Sequence, residues 1–235
     1  ITEKPHGIIL CVGPTGSGKT TTLHALLRHL NTDERKIWTA EDPIEITQEG
    51  LRQVQVHPKI GFTFAAAMRS FLRADPDVIM IGEMRDKETA DMAIEASLTG
   101  HMVLSTLHTN GAVETVVRLL DMGCDSFNFA DAMQGVLAKR LCKRICVTCK
   151  EPYHPTAQEY DKLAHGYGKQ AWETLGVGYR EDFQLYRGRG CDACNDSGYR
   201  GRVGMFEHLK ISLAVQEMIN ERLPTIRIRE KALEE

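Results

Sequence analysis

Near its N-terminal end the chain contains the segment Gly13-Pro14-Thr15-Gly16-Ser17-Gly18-Lys19-Thr20. It joins an apolar run over 8–12 to a segment over 19–30 whose apolar residues recur at helical spacing. The pattern G-x-x-x-x-G-K-[ST] between a strand and a helix is typical of a loop that holds phosphate with its backbone N–H groups. The sequence therefore predicts a nucleotide site, against the simpler alternative of a glycine-rich turn that only begins a helix.

Each residue type in this loop suits phosphate chemistry. The helix N-terminus adds partial positive charge, Lys19 is expected to reach the β- and γ-phosphate oxygens, and Thr20 to ligate Mg²⁺. The predicted ligand is ATP or ADP with Mg²⁺. The residues predicted to bind it are Gly13, Pro14, Thr15, Gly16, Ser17, Gly18, Lys19, Thr20 and Thr21.

Outside this loop, short apolar runs alternate with helical patterns. This alternation predicts an α/β fold with a parallel sheet and crossover helices. After about residue 150 the sequence becomes polar and rich in Gly and Pro, which indicates a small irregular subdomain. We expect a strand over 202–210 and then two short helices, with Pro224 opening the second. The remaining predicted strands are 36–40, 53–56, 77–81 and 101–105, and the predicted helices lie near 64–73, 86–98, 111–120 and 126–138.

Composition excludes several classes of protein. The 235 residues are 42% hydrophobic and 26% charged, so the chain can bury a core, and charges interrupt every run that could insert into a membrane. The net charge of -3 makes nucleic acid an unfavoured partner. Seven cysteines, an odd number, favour a reducing cytoplasm over a disulfide framework.

Carboxylates follow two of the predicted strands. Glu83 comes after the apolar run 78–82, and Glu41 with Asp42 follows the strand at 36–40. Hydrolysis of a nucleotide needs a carboxylate that positions water and metal, and such groups lie at the carboxyl ends of neighbouring strands. The alternative is a solvated loop charge or a helix cap, but an uncompensated carboxylate after so apolar a strand would be costly.

Four blocks of sequence together resemble the secretion ATPase superfamily, in its type II secretion and type IV pilus assembly branch. They are the phosphate loop continued to Leu23, a segment similar to the family's aspartate box, one similar to its Walker B segment and one similar to its histidine box. The last three blocks are 41–45, 75–86 and 99–110, and the similar segment 198–204 extends the resemblance over nearly the whole chain.

The resemblance implies a RecA-like P-loop ATPase core that works as a cytoplasmic homo-hexamer and drives pilin or pseudopilin assembly through an inner-membrane platform. It implies that Glu41 and Glu83 share water activation and magnesium positioning, and that His108 senses the γ-phosphate. Without the box around it, His108 would be interpreted as a histidine hydrogen-bonded at a strand end. Gly82 stands where many P-loop enzymes have a metal-binding Asp, a feature that the family shares, which leaves Thr20 as the direct protein ligand of Mg²⁺.

Ring motors also need an arginine that neutralises charge on the γ-phosphate, often from a neighbouring subunit. Arg69 and Arg73 share one helix face and resemble arginines that the family directs towards the subunit boundary; the alternative is a solvated face. Family members carry an N-terminal domain that supplies further arginines and docks to the platform. Since twelve residues precede Gly13, we expect that domain to be missing from this chain. We expect membrane association to go through partners, without direct insertion.

Two C-x-x-C pairs predict a structural zinc site. Four thiolates can close a tetrahedral site, and a long spacer is tolerable because loop-closure entropy grows slowly with length. The alternatives are a redox dithiol and buried cysteines that act as small hydrophobes. Assembly and export members of the family often carry this module, whereas the retraction motors lack it. The predicted zinc ligands are Cys146, Cys149, Cys191 and Cys194.

These observations predict a motor core over 1–140, a zinc-binding subdomain over 141–205 and a C-terminal strand and helices over 206–235. The predicted function is ATP hydrolysis that powers type II secretion or type IV pilus assembly. One alternative is a nucleotide-gated scaffold with negligible turnover. Another is a DNA-translocating ATPase, for which the basic residues over 139–144 offer slight support.

Overall fold

The computed structural model describes residues 4–235, with the side chain of residue 170 left out; Ile1–Glu3 lie outside the described residues. The chain divides into two compact units. One is formed by the chain up to Arg140 together with Gly204–Glu235, and the other by Leu141–Val203.

The first unit is an α/β layer structure. Its complete strands are β1 (Gly7–Val12), β2 (Ile37–Glu41), β3 (Arg52–Gln55), β4 (Val78–Ile81) and β5 (Met102–Leu107). It also contains β6 (Met133–Ile145) up to Arg140 and β9 (Tyr199–Lys210) from Gly204. Its helices are α1 (Lys19–Leu30), α2 (Phe64–Phe71), α3 (Lys87–Leu98), α4 (Glu114–Asp121), α5 (Ser126–Ala132), α8 (Leu213–Asn220) and α9 (Thr225–Glu234).

The second unit is smaller. Its elements are β7 (Lys150–Tyr153), α6 (Ala157–Tyr167), α7 (Lys169–Thr174) and β8 (Leu185–Gly188), together with the ends of β6 and β9. Strands β7 and β8 pair in antiparallel fashion.

The main sheet of the described residues has the order β3-β2-β4-β5-β1-β6-β9. β1 pairs in parallel with β5 and β6, and β2, β3, β4 and β5 also pair in parallel. A strand that is buried on both faces has apolar residues at successive positions of its sequence, which explains the apolar run at 8–12. The predicted α/β class with a parallel sheet is confirmed.

Two apolar cores cover the two faces of this sheet, because successive side chains of a strand point to opposite faces. Ile8, Leu10 and Val12 of β1 belong to a core with α2, α3, α5 and α8. Ile9 and Cys11 belong to the other core, which α1 closes with Leu23, Leu27 and Leu30. The helix that follows the phosphate loop is therefore fixed against the centre of the sheet.

The predicted helix near 126–138 is wrong over its second half. Helix α5 ends at Ala132, and Met133 begins strand β6, which pairs with β1 from Ile8 to Val12. The buried positions of this short apolar segment fit helix or strand locally, so periodicity could not decide between them. The segment from Met133 forms a strand because pairing with β1 satisfies the backbone hydrogen bonds of both segments.

Candidate functional site

The phosphate loop connects β1 to α1. Gly18 adopts a left-handed backbone with φ of 82° and begins the helix without a side-chain cap, so the N–H groups of the first turn keep their binding capacity. Gly13 has φ of 139°, and a Cβ there would lie 2.3 Å from the carbonyl oxygen of Lys139 in β6. Only glycine therefore permits this close approach of the loop to the neighbouring strand.

The loop surrounds the buried ammonium group of Lys19. Lys19 Nζ donates hydrogen bonds to the carbonyl oxygens of Gly13, at 2.8 Å, and Pro14, at 3.2 Å. Burial lowers the pKa of this ammonium group, while nearby Glu83 acts in the opposite direction. Ser17 Oγ is buried and finds no hydrogen-bond partner among residues 4–235. A buried cation, an unpaired hydroxyl and an uncapped helix together fit a phosphate group.

A second lysine, Lys139 of β6, contacts the end of the phosphate loop and the first turn of α1. Lys139 Nζ lies 2.8 Å from Thr22 Oγ1 and donates to the carbonyl oxygen of Gly18 at 3.2 Å. Its amino group also lies over the ring of Phe206 in β9. Sequence reasoning missed this residue, because it treated 139–144 as a surface cluster and placed 139 after a helix.

Glu41 ends β2 and is buried, with 3% of the residue exposed. Its Oε1 accepts hydrogen bonds from Thr39 Oγ1 at 2.6 Å and from Gln53 Nε2 at 2.9 Å. Its Oε2 lies 3.0 Å from His24 Nε2, on the helix that follows the phosphate loop. The carboxylate is thus held in one orientation beside that helix.

Glu83 follows β4 at the same edge of the sheet. One of its oxygens pairs with Arg85, and the other lies 3.6 Å from His108 Nε2, just beyond the end of β5. The hydrogen bond to Glu83 raises the pKa of Arg85. Arg85 was not predicted from the sequence, although its position two residues after Glu83 in a loop would bring their side chains within reach.

The loop and these carboxylates line one cavity of about 480 Å³, a size in the range of small-molecule sites. Thr20 and Thr21 also line it, as does Phe64 of α2. Of the predicted site residues, those that line this cavity are Thr15, Gly16, Gly18, Lys19, Thr20, Thr21, Glu41, Glu83 and His108.

Four of the residues predicted for the nucleotide site do not line this cavity. Gly13, Pro14 and Ser17 belong to the loop but do not line the cavity. Arg69 lies on the exposed face of α2, where its guanidinium pairs with Glu88 at 2.6 Å. The structure therefore does not bring Arg69 to the nucleotide cavity of its own chain.

The second unit contains a cluster of four cysteines. The sulfur atoms of Cys146, Cys149, Cys191 and Cys194 all lie within 4.8 Å of one another. The Cys146–Cys191 and Cys149–Cys194 distances are both 3.9 Å, and the Cys191–Cys194 distance is 3.7 Å. These distances are far too long for disulfides, in which the sulfurs are about 2.05 Å apart.

The spacing fits a metal with four sulfur ligands. A metal about 2.3 Å from each of four tetrahedral sulfurs would place those sulfurs about 3.8 Å apart. Hydrogen bonding, chiefly from the backbone of Thr148, lowers the pKa of Cys146 to about 6, whereas burial raises the pKa of Cys191 to about 11. The distances between the sulfur atoms, rather than these pKa values, indicate a metal site. The cluster can therefore hold a metal ion.

The parallel sheet, the glycine-rich loop and the carboxylates at the strand ends define an α/β protein of the P-loop nucleotide-binding class. The sequence model of the family described as "Type II/IV secretion system protein" matches residues 1–235. The chain belongs to this family, and the resemblance predicted from its sequence is confirmed.

The chain is similar in sequence to ATPases of two kinds of machine. The chain is 51% identical over 218 residues to the type II secretion system ATPase E of Vibrio cholerae, covering 93% of this chain and 41% of that protein. It is 50% identical over 219 residues to the type IV pilus assembly ATPase PilB of Acinetobacter baylyi, covering 93% of this chain and 36% of that protein. The chain therefore spans about two fifths of the length of these relatives.

Solved structures of the family share the fold. The crystal structure of the pilus retraction motor PilT with bound ADP superposes with a TM-score of 0.67 at 28% identity. The match covers 97% of this chain and 53% of the PilT chain.

Across the part of the chain that the structure describes, no helix is both long and apolar enough to cross a bilayer.

Proposed function

We propose that this chain is the ATP-hydrolysing motor of a machine that secretes proteins by the type II route or assembles type IV pili. The observation that carries the proposal is the meeting of Glu41, Glu83 and His108 with the phosphate loop around one cavity. Both kinds of machine are included because relatives from both are about half identical to the chain. A phosphate loop alone binds nucleotide, whereas the two carboxylates add what hydrolysis requires.

In this proposal the loop holds the phosphates of ATP. Backbone N–H groups from Gly13 to Gly18 and the first turn of α1 bind the phosphate oxygens, and Lys19 turns from its carbonyl partners to the β- and γ-phosphates. Thr20 would hold Mg²⁺, which neutralises charge on these oxygens when it is bound. The Mg²⁺ role fits the position of Thr20 in the cavity lining.

Glu83 orients the attacking water, and His108 contacts the γ-phosphate. Glu83 is mostly buried, and its pairing with Arg85 holds the carboxylate at the cavity wall. Glu41 supplies a second carboxylate, fixed by its hydrogen bonds, that supports metal and water. Hydrolysis then breaks the bond between the β- and γ-phosphates, with water as the nucleophile and ADP as the leaving group.

The second unit completes the proposed domain organisation as a metal-binding subdomain. We assign zinc to the four cysteines because four thiolates at tetrahedral spacing match a closed structural zinc site. A closed site has no open position for substrate, so this zinc stabilises the fold and takes no part in hydrolysis.

The proposed working state is a cytoplasmic homo-hexamer that associates with the inner membrane through partners. Arg69, exposed on α2, would act across a subunit boundary, and its surface pairing with Glu88 leaves it accessible to a neighbour. An N-terminal domain outside this chain would supply further arginines and dock to the platform. Exposed ion pairs contribute little to stability, so releasing this one costs little.

The test is phosphate release by the intact ATPase, including segments beyond these 235 residues. A motor releases phosphate in many turnovers per subunit, whereas a nucleotide-gated scaffold binds ATP and releases phosphate at no more than a stoichiometric level. Release that stops at one phosphate per site, from a protein that has bound ATP and forms rings, would contradict the proposal.

A further inference from the structure

His24 is a buried histidine without an assigned function. It lies on α1 five residues after Lys19, and 2% of the residue is exposed. Its ring contacts the carboxylate of Glu41 on one side and Gln48 on the other. A buried imidazole between the phosphate-loop helix and an acidic residue of the cavity needs an explanation beyond packing.

The hydrogen bonds around the ring identify its tautomer. Gln48 Nε2 donates to the carbonyl oxygen of His24 at 2.8 Å, which fixes this atom of Gln48 as the amide nitrogen. The same nitrogen lies 2.9 Å from His24 Nδ1 and can only donate to it. Nδ1 is therefore unprotonated, and the ring hydrogen is on Nε2, from which it is donated to Glu41 Oε2.

This geometry fixes the orientation of the Glu41 carboxylate. Its two oxygens accept hydrogen bonds from three donors, which are the side chains of Thr39, Gln53 and His24. Rotation of the carboxylate would break these bonds and leave buried polar atoms without partners.

The same side chains also secure the loop that follows β2. Gln53 Nε2 donates to the carbonyl oxygen of Ile46 at 2.8 Å, and Gln53 Oε1 accepts from the backbone N–H of Gln48 at 2.8 Å. The network thereby connects the helix that carries Lys19 with the strand and loop that carry Glu41. The relative position of the lysine and the carboxylate is set by these bonds.

We propose that His24 is a positioning residue for hydrolysis, which holds the Glu41 carboxylate in one orientation beside the helix that follows the phosphate loop. This role rests on the proposed ATPase function, since it assigns Glu41 a part in turnover. His24 itself does not line the cavity. Loss of its Nε2–H donor leaves Glu41 Oε2 unpaired in a buried setting and frees the carboxylate to rotate away from its productive orientation.

The test compares two substitutions of His24 in the intact ATPase. His24→Leu removes the donor, and His24→Gln places an amide N–H near the position of Nε2. We expect His24→Leu to lower kcat about 10- to 100-fold with little change in the KM for ATP, because a hydrogen bond to a charged group is lost. We expect His24→Gln to recover most of the loss. His29→Leu, on the exposed face of the same helix, is the matched control.

A double substitution separates positioning from mere stability. If His24 acts through Glu41, His24→Leu with Glu41→Gln should be no slower than Glu41→Gln alone, because the two losses are not additive. Binding of a fluorescent ATP analogue shows that each variant is folded. Additive losses, or a His24→Leu variant with the kcat of wild type, would overturn the positioning role while leaving the ATPase function intact. Absence of turnover in the wild-type ring would instead overturn the proposed function, and this role with it.

Discussion

Lys139 Nζ lies 3.2 Å from the carbonyl oxygen of Gly18, although the two residues are 121 positions apart in the chain. The same ammonium group contacts Thr22 one turn into α1. The phosphate loop is therefore shaped by β6 as well as by its own glycines.

The first prediction concerns this contact. Lys139→Met should keep the aliphatic stem but lose the ammonium group, so the loop should become less well ordered. We expect a loss of about 1 kcal/mol in the free energy of unfolding and a several-fold weaker affinity for ADP. Lys59→Met, at an exposed position, is the control. Equal ADP affinities of the two variants, measured by calorimetry, would show that the contact does not support the loop.

The second prediction separates binding from hydrolysis. Lys19→Ala should abolish tight ATP binding, because Lys19 contacts phosphate in the ground state. Glu83→Gln should keep ATP binding and lose hydrolysis, because Glu83 acts when water is aligned for attack. The measurements are equilibrium binding and phosphate release in the intact, ring-forming protein. Normal turnover by the Glu83→Gln ring would remove Glu83 from the mechanism.

The third prediction concerns the metal. Elemental analysis should find about one zinc per chain, because four thiolates close one site. Cys146→Ser and removal of zinc by a chelator should unfold Leu141–Val203, because metal binding is part of its folding free energy. ADP affinity should change little. Cys142→Ser, outside the cluster, should retain the zinc. Metal-replete protein without zinc, in which all four thiols react freely, would disprove the site.

The fourth prediction concerns the 235 residues on their own. They should bind ATP or ADP with ordinary affinity, because the whole loop from Gly13 to Thr20 is present. They should hydrolyse ATP about 10³- to 10⁵-fold more slowly than the intact ring, because arginines supplied across a subunit boundary are absent. The comparison requires equal, dilute concentrations, since self-association would restore some active boundaries. Full activity of the monomeric chain would place every catalytic group within it.

Local patterns predicted the strand, loop and helix that surround the candidate site. The phosphate loop, the strand before it and the helix after it depend on residues near one another in sequence, so their pattern is visible in one stretch. Glu83 was predictable for a similar reason, because it ends the most apolar strand of the chain. Its approach to His108 follows from the pairing of β4 with β5.

Contacts between distant segments were not predictable. The start of strand β6, over 133–138, was predicted as the end of a helix, because its pairing with β1 is invisible in its own periodicity. That error also concealed Lys139, whose side chain reaches the loop only from a strand. His24 was overlooked because nothing within α1 indicates that Glu41 lies opposite it.

The division of the sheet between two stretches of sequence constrains how the protein is made. Residues 204–235, which contain the last part of β9 with α8 and α9, follow Leu141–Val203 in the chain. Leu209, Val215 and Ile219 of this stretch nevertheless belong to the same apolar core as Ile8, Leu10 and Val12 of β1. On the ribosome, the first 140 residues emerge with that core incomplete and must wait for the intervening unit to be synthesised. During this delay exposed apolar surface is open to aggregation or chaperone binding. A slowed synthesis of 141–203 would therefore prolong the vulnerable stage of the motor unit itself.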